Sequence, residues 1–451
     1  MSTTEQPILL PLRAIPGSLF SFEALVVLYM FAGIYKGDPR FAAVPVDLTA
    51  LFFALSVVVG SFIIVRNPIH RKSMPVIFAM VCLIVWLLVS LTWSPSRIYG
   101  PNKVFLMATL VLWAVIAGAV IISPDPERLR RLFTLLLLLS IWFGIDAVLF
   151  YIQSGGNIGQ IRLRGASYLG LGRLCGLGAL IALMAGLYGR GTAKLFWLIV
   201  FAFLGFVLAI GGGRGPLLAA VFPPLLLAGL GIRFTRTRIL YWPAQLSVLV
   251  LLLAVAGGLL SYGAVTEHRL STFQRLAPLL EGNLGRSAGA RAESYGDVVK
   301  LSEGAPLLGH GFGSWPLLTG RPDLHSYPHN ALAELLVEGG LIAVGLFLVV
   351  VAVAFRGVSF ARLRSDPQAL CIVVLFVNAF LNAMVTEDLP GNRAMFMILG
   401  VLALFAIRPV AAARVVAPEA GRSAAEPLAA EIARRRVAPP AGQVHAVNRD
   451  A

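Results

Sequence analysis

Long apolar runs separated by short polar segments dominate the pattern along the chain. A run of about 20 apolar residues is the length at which an α-helix crosses the hydrocarbon core of a bilayer. The pattern therefore predicts an all-α polytopic membrane protein with about twelve transmembrane helices. We place these spans at 18–35, 47–65, 74–92, 103–123, 130–152, 166–188, 194–213, 215–232, 243–262, 329–355, 368–386 and 393–408.

The composition agrees with a membrane protein and argues against two other classes. Hydrophobic residues make up 58% of the chain and charged residues 13%, whereas soluble domains carry about 25% charged residues. The net charge of +15 could suggest nucleic acid, but lysines and arginines collect in the cytoplasmic loops of membrane proteins. We therefore predict no nucleic-acid partner. Cys82, Cys175 and Cys371 all fall in apolar runs, which favours neither a disulfide framework nor a metal cluster.

The basic residues also predict the orientation of the chain. If the N-terminus is inside, the short inside segments carry roughly twice as many lysines and arginines as the short outside loops, which favours cytoplasmic termini. The first 17 residues show no cleavable signal pattern. The predicted organisation is an N-terminal segment 1–17, helices 1–9 over 18–262, one large outer loop over 263–328, helices 10–12 over 329–408, and a disordered cytoplasmic tail over 409–451 with a short helix near 424–436.

The large outer loop between helices 9 and 10 contains most of the polar residues with a predicted role. From Arg291 to Leu301 the apolar positions predict a short amphipathic helix lying in the membrane interface. Pro306, Gly309 and Gly311 follow and end it. The loop closes with Tyr327-Pro328-His329-Asn330 at the start of an apolar helix, where polar side chains are costly unless they have a task.

His329 is a candidate general base. Pro328 precedes it, so we expect the helix to begin there, with His329 in the first turn, where the positive helix end keeps the imidazole neutral. A neutral imidazole can accept a proton from an attacking hydroxyl. The alternative is a capping or interfacial histidine that only forms hydrogen bonds. His325 and His329 are four residues apart, but the sequence places no third ligand, and a catalytic zinc site normally needs three, so we predict no metal.

Two arginines are predicted to lie on the same side of the membrane as His329. Arg214 follows three glycines between the seventh and eighth spans; glycine allows close approach of a ligand to the backbone, and arginine suits forked contacts to phosphate. The alternative for Arg214 is a boundary residue that reaches the headgroups. Arg291 could equally be a solvated loop residue.

Two charges fall inside predicted spans. Asp146 and Arg173 lie on consecutive antiparallel helices, each about 10 Å from the outer end. Because intramembrane charges are usually paired, we predict an Asp146–Arg173 ion pair rather than a direct substrate role for Arg173.

Three stretches together resemble the O-antigen ligase and polymerase family of bacterial envelope proteins. The first runs from Arg291 through Pro306–Gly313 to Pro328-His329-Asn330 and Glu338-Gly339-Gly340-Leu341. The second is the glycine-rich turn with Arg214. The third is Trp93-Ser94-Pro95, followed by Tyr99-Gly100 and Lys103. The resemblance covers most of residues 50–405, and its specific part is 291–341.

The resemblance implies a class C-like glycosyltransferase of the bacterial inner membrane. Such an enzyme moves a glycan from undecaprenyl diphosphate, on the periplasmic face, to a hydroxyl of lipid A-core or of a growing glycan. By this resemblance His329 activates the acceptor, and Arg214 and Arg291 contact the donor diphosphate, whose growing negative charge guanidinium groups stabilise. Arg162, Arg164 and Asn330 are further candidates. Besides these substrates only membrane lipids are expected as partners, and no nucleotide, metal or other cofactor is required.

The sequence leaves the acceptor open. A ligase and a repeat-unit polymerase use the same donor chemistry, and the single large outer loop leads us to favour the ligase. A transporter or lipid flippase would also have about twelve spans. It should place carboxylates near mid-membrane or show related halves with broken helices, and the sequence shows neither feature clearly.

Overall fold

The computed structural model describes residues 7–156, 158–163, 167–230, 232–234, 239–241, 257–258, 270–280, 282 and 285–408. Thirteen principal helices are numbered in chain order. They are α1 (Phe22–Tyr35), α2 (Leu48–Arg66), α3 (Met74–Ser90), α4 (Tyr99–Ile122), α5 (Pro126–Gln153), α6 (Tyr168–Tyr188), α7 (Gly191–Ile210), α8 (Arg214–Leu230), α9 (Ser271–Leu280), α10 (Gly285–Gly304), α11 (Ala331–Ala354), α12 (Pro367–Ala383) and α13 (Pro390–Ile407). Shorter helical segments are Leu12–Ala14, Ile15–Ser18, Pro39–Phe41, Arg71–Ser73, Trp315–Leu318 and Phe360–Ser365.

The protein is a multi-pass α-helical membrane protein. Each predicted span that falls on described residues coincides with a helix, and eight of these helices are long and apolar enough to cross a membrane. A ninth crossing results if Leu12–Ser18 and Phe22–Tyr35, bent by 70°, form one span; Arg214–Leu227 and Pro367–Ala383 are shorter apolar helices. The predicted span 243–262 lies almost wholly outside the described residues, so the number twelve stays a prediction. The predicted tail 409–451, with its helix near 424–436, also lies outside the described part.

Two local features differ from the predicted pattern. Residues Ile232–Phe234 and Ile239–Tyr241 form a two-stranded antiparallel hairpin, β1–β2, directly after α8. The predicted interfacial helix 291–301 is part of the longer α10, because helical backbone already begins at Gly285. In the second case the apolar period identified only the half of the helix that carries large side chains.

Helix α6 is the central helix of the described bundle. In its apolar window 83% of the residues are buried, against 22% in α2, which faces outward. Small residues explain this position: a side chain at Gly178 would overlap Ser140 of α5, and one at Gly172 would meet Pro216 of α8 at 2.8 Å. Such residues let membrane helices approach closely, and α6 contacts α5, α7, α8 and α12.

Helix α11 is broken at Gly340, whose φ of 68° and ψ of −171° are not helical. The segment 306–310 occupies the break. Leu341 N donates to Pro306 O at 2.9 Å, and His310 N donates to Val337 O at 2.9 Å. Any side chain on Gly340 would overlap Leu307 O. The motifs Pro306–Gly313 and Glu338–Leu341 are therefore one structural unit, in which the loop supplies the hydrogen bonds that the broken helix lacks.

Several connections meet at one end of the bundle, here named the site face. They are the connections 36–47, 91–98, 154–163, 211–213, 305–330 and 384–392. Asp323 fixes two of them to each other, because its carboxylate accepts hydrogen bonds from Ser96 Oγ at 2.6 Å and from the amides of Arg97 and Ile98 at 2.8 Å each. Burial alone would raise the pKa of Asp323, but these hydrogen bonds hold it below its usual value. The carboxylate therefore stays ionised and keeps the long connection attached to the start of α4.

Candidate functional site

His329 lies at the site face immediately before α11. The helix begins at Ala331, and Asn330 is its N-cap: Asn330 Oδ1 accepts hydrogen bonds from Leu332 N at 3.0 Å and Ala333 N at 3.1 Å. The prediction that His329 lies in the first helical turn is therefore wrong, because Asn330 takes the cap position that asparagine favours. The backbone of His329 is left-handed, with φ of 62°, a conformation that is costly for a residue with a side chain and recurs at functional sites.

The surroundings of His329 keep its imidazole neutral. The ring is half-buried and meets Tyr327 edge to face, with centroids 4.6 Å apart. Burial is the main cause that lowers the pKa of His329 to about 4, and the charges of Arg291, Arg321 and His325 contribute to the same shift. The neutral form predicted from the sequence is therefore supported, but burial and neighbouring cations cause it rather than a position within the helix. Nδ1 is buried and has no hydrogen-bond partner among the described residues.

His325 does not share a ligand set with His329. Its Nε2 lies 3.4 Å from Asp388 Oδ2, which also accepts a hydrogen bond from Tyr99 Oη at 2.9 Å. The hydrogen bond to Asp388 raises the pKa of His325. Burial alone would raise the pKa of Asp388, but the hydrogen bond from His325 and the charge of Lys103 hold it below its usual value. Among the described residues no group of three His, Cys, Asp or Glu side chains could hold a metal ion.

Arg214 is the first residue of α8, directly after the glycine turn. Its Nη1 donates to Arg275 O at 2.9 Å, and Arg275 Nη1 donates to Gly212 O at 2.5 Å. The turn is itself fixed, because Thr272 Oγ1 accepts a hydrogen bond from Gly212 N at 2.8 Å. Gly212 has φ of 82°, and a side chain there would meet Gly159 O at 2.5 Å. Helix α9 thus positions both arginines against a turn that only glycine can form.

Arg291 connects the arginines of α8 and α9 to the histidine. It is half-buried on α10, and its charge acts on both Arg214 and His329. The predicted residues Arg214, Arg291 and His329 are therefore brought together. Within the described part of the chain, Arg214, Arg275 and Arg291 form no ion pair with a carboxylate. We call these three residues the arginine cluster.

The remaining candidate arginines behave differently. Arg162 is exposed and donates to Gln160 Oε1 at 3.2 Å. Arg164 lies outside the described residues. Arg173 is half-buried on α6, and its Nη2 lies 3.2 Å from Glu387 Oε1.

The predicted Asp146–Arg173 ion pair is wrong. Asp146 pairs instead with Arg40, whose Nη2 lies 2.9 Å from Asp146 Oδ2. The prediction compared depths on consecutive helices only. The connections 36–47 and 384–392 reach the same level and supply Arg40 and Glu387 as closer partners.

A buried ion cluster lies beneath the connections 305–330 and 384–392. Lys103 Nζ is 2.5 Å from both Glu334 Oε1 and Glu338 Oε2, and all three side chains are fully buried. Glu334 Oε1 also accepts a hydrogen bond from Leu389 N at 3.3 Å. Buried charges are tolerated only when they are paired in this way. The cluster joins α4, α11 and the connection before α13, which accounts for the presence of Lys103 and Glu338 in the motifs.

Three charged residues of the site were not predicted from the sequence. Arg275 and Arg321 could not be distinguished from solvated loop arginines. Asp388 had a weak signal, because Glu387-Asp388 is an acidic pair between two apolar helices in a chain with only 22 acidic residues. Backbone geometry also marks the site, although the sequence does not show it. Among the described non-glycine residues, only His329 and Glu387 have positive φ.

Comparisons with known proteins relate the chain to O-antigen ligases. The sequence model of the family described as O-antigen ligase matches residues 197–348, a range that contains the arginine cluster and His329. The O-antigen ligase of Pseudomonas aeruginosa (strain PAO1) is 30% identical over 216 residues, which are 44% of this chain and 47% of that protein. The chain thus spans about half the length of the curated relative that it matches. Together these matches confirm the resemblance predicted from the sequence: over residues 197–348 the chain is similar to the O-antigen ligase family.

Proposed function

We propose that the protein transfers a glycan from undecaprenyl diphosphate to an acceptor hydroxyl, and that the acceptor is lipid A-core, as in O-antigen ligation. The observation that carries the proposal is the placement of the arginine cluster, free of carboxylate partners in the described part, within electrostatic range of the neutral His329. The site face is then periplasmic, both termini are cytoplasmic, and the membrane is the bacterial inner membrane.

The arginine cluster would bind the donor diphosphate. Guanidinium groups form forked, charge-assisted hydrogen bonds to phosphate oxygens. The start of α8, directly after the turn at Gly211–Gly213, would offer helix N-terminal amides to the phosphates. Because the negative charge of the diphosphate grows as the glycosidic bond breaks, fixed positive charges stabilise the transition state more than the ground state.

His329 would act on the acceptor. Its imidazole accepts the proton of the acceptor hydroxyl as that oxygen forms a bond to the anomeric carbon of the donor sugar. The bond from the anomeric carbon to the diphosphate oxygen breaks, and the diphosphate leaves with the bonding electron pair. A base with a pKa of about 4 is weak but fully neutral at pH 7, so it is available in every turnover. The proposal needs no nucleotide, metal or other cofactor.

The experiment compares strains that lack the gene and carry either the wild type or a variant. Lipopolysaccharide and secreted polysaccharide are resolved side by side, and membrane levels of the protein are measured. If deletion of the gene leaves full-length glycan on its lipid carrier together with bare lipid A-core, the protein is a ligase. Single repeat units without long chains identify a polymerase of O-antigen or exopolysaccharide instead.

Two histidine variants make this experiment specific. His329→Ala should accumulate in the membrane without restoring glycan display. His70→Ala is the matched control, because His70 lies between α2 and α3 at the end of the bundle away from the site face, and it should restore display. If His329→Ala also restores display fully, the transferase proposal fails and the transporter or flippase alternative gains support.

A further inference from the structure

A groove opens on the site face, apart from the arginine cluster. Its volume is about 430 Å³. Lys36 and Asp47 line it from the connection 36–47, Phe53 from α2, Phe105 and Thr109 from α4, and Arg393 from α13. None of these residues has a role in the transfer chemistry described above.

Arg393 gives the groove a positive charge that has no ion-pair partner among the described residues. Its Nη1 donates to Tyr29 O at 3.3 Å, while its Nε is buried and has no hydrogen-bond partner among the described residues. No carboxylate in that part of the chain lies within ion-pair distance of it. Lys36 adds a second charge: its ion pair with Asp47, at 3.4 Å, is about half exposed at both side chains. Such exposed pairs contribute little stability, so Lys36 can turn to another anion.

The other walls of the groove are apolar and open towards lipid. Phe105 is 63% exposed on α4, a helix long and apolar enough to cross the membrane. Leu106 and Leu110 continue the same wall. A ligand that fits must therefore carry an anionic group for Arg393 and Lys36 and hydrocarbon for Phe105 and its neighbours. A phosphate-bearing lipid has both parts.

The groove is also linked to His329. The charges of Glu387 and Asp388 act on Arg393, and those of the same two residues act on His325 and Tyr327. Tyr327 in turn contacts the His329 ring. By contrast, Arg214 interacts with Arg275 and Arg291. The groove and the arginine cluster are therefore two separate basic sites, as a transfer between two lipid-anchored molecules requires.

We propose that this groove binds the acceptor lipid through a phosphate, with Arg393 as the main contact and Lys36 as the second. The inference rests on the proposed function, because it assigns the acceptor side of the same site. It specifies the class of acceptor as a phosphorylated glycolipid whose sugar hydroxyl reaches His329 while its acyl chains lie against α4.

Lipid binding by the purified full-length protein tests this assignment without requiring turnover. The probes are bisphosphorylated lipid A, its monophosphorylated form, phosphatidylglycerol and undecaprenyl diphosphate, each titrated in detergent against wild type, Arg393→Gln, Thr109→Trp and Arg214→Gln. Thr109→Trp fills the groove from a half-buried position and leaves Arg393 intact, so it remains informative if Arg393→Gln does not fold. We expect wild type to bind bisphosphorylated lipid A at least about tenfold more tightly than phosphatidylglycerol. Arg393→Gln and Thr109→Trp should lose that preference but bind undecaprenyl diphosphate normally, whereas Arg214→Gln should show the reverse pattern.

Two results would overturn the assignment. Equal affinity for phosphatidylglycerol would make the groove a site for bulk lipid. Loss of undecaprenyl diphosphate binding in Arg393→Gln and Thr109→Trp would place the donor there instead. Neither result depends on His329, so failure of this inference is distinguishable from failure of the proposed function, in which glycan display persists in His329→Ala.

Discussion

The rings of Tyr327 and His329 meet edge to face, with centroids 4.6 Å apart. Tyr327 also contacts His325, with centroids 5.1 Å apart. The tyrosine ring therefore packs against both histidines of the connection 305–330. An edge-to-face pair contributes about 0.5–1.5 kcal/mol beyond burial.

Tyr327→Leu should lower kcat about two- to tenfold while leaving the KM for the donor unchanged, because the ring positions the base and does not contact the diphosphate. Tyr327→Phe keeps the ring pair and should retain nearly full activity. Steady-state transfer by the purified variants measures both constants. If Tyr327→Phe is as impaired as Tyr327→Leu, the phenol oxygen rather than the ring pair is required.

The pH dependence of transfer should follow the lowered pKa of His329. Because its folded-state value is about 4 rather than about 6.5, the rate should stay constant from pH 8 to about pH 5.5 and fall at lower pH. The same shift stabilises the folded protein fully above pH about 6.5. That contribution is lost as the pH falls towards 4, since only the unfolded chain then binds the proton.

Arg321→Gln removes one of the charges that lower the pKa of His329, so the acid limb of the rate profile should move to higher pH. Arg97→Gln is the matched control, because Arg97 is an exposed arginine on the same face that does not act on His329. Rate profiles of the three proteins between pH 4 and 8 make the comparison. If the acid limb does not move in Arg321→Gln, protonation of His329 does not cause the fall in the transfer rate at low pH.

Arg214→Lys keeps the charge but loses the fork of donors. The three donors of an ammonium diverge from one nitrogen, so they cannot match two phosphate oxygens side by side as a planar guanidinium does while Nη1 also donates to Arg275 O. We expect kcat/KM for the donor to fall at least about tenfold. Arg190→Lys, at the opposite end of α7, is the control and should behave as wild type. Full activity of Arg214→Lys would make the residue only a charge anchor.

Gly340→Ala should destabilise the protein by more than about 1 kcal/mol, because the left-handed backbone is strained for alanine and the new side chain would overlap Leu307 O. Gly345→Ala, on the same helix with open space around it, should be neutral or stabilising. Thermal unfolding in detergent and protease cleavage within 305–330 report the difference. Equal unfolding temperatures would show that the loop does not need the break in α11.

Sequence periodicity predicted most of the described spans because eight of the helices are apolar and long enough to cross a bilayer. It failed where single polar contacts decide the structure. Asp146 and Arg173 have suitable depths for pairing, yet each found a closer partner in a connection, and no apolar period contains that information. Similarly, the prediction placed His329 inside the helix, whereas it precedes the N-cap, because the capping preference of Asn330 outweighs the signal of Pro328.

The candidate site was predictable in part for a related reason. Arg214 and His329 stood out because each lies beside a helix-breaking residue at the edge of an apolar run. Arg275 and Arg321 did not, since such arginines are common in polar segments and only the fold brings Arg275 to the glycine turn and Arg321 near the imidazole.

The central claim is that His329 is the base of a transfer between two lipids, and one measurement tests it most directly. Purified protein is mixed with a glycan on undecaprenyl diphosphate and with lipid A-core, and the glycosylated acceptor is quantified for wild type, His329→Ala and His325→Ala. We predict product with wild type, a loss of at least about a hundredfold with His329→Ala, and a much smaller loss with His325→Ala. Equal product from wild type and His329→Ala would contradict the account.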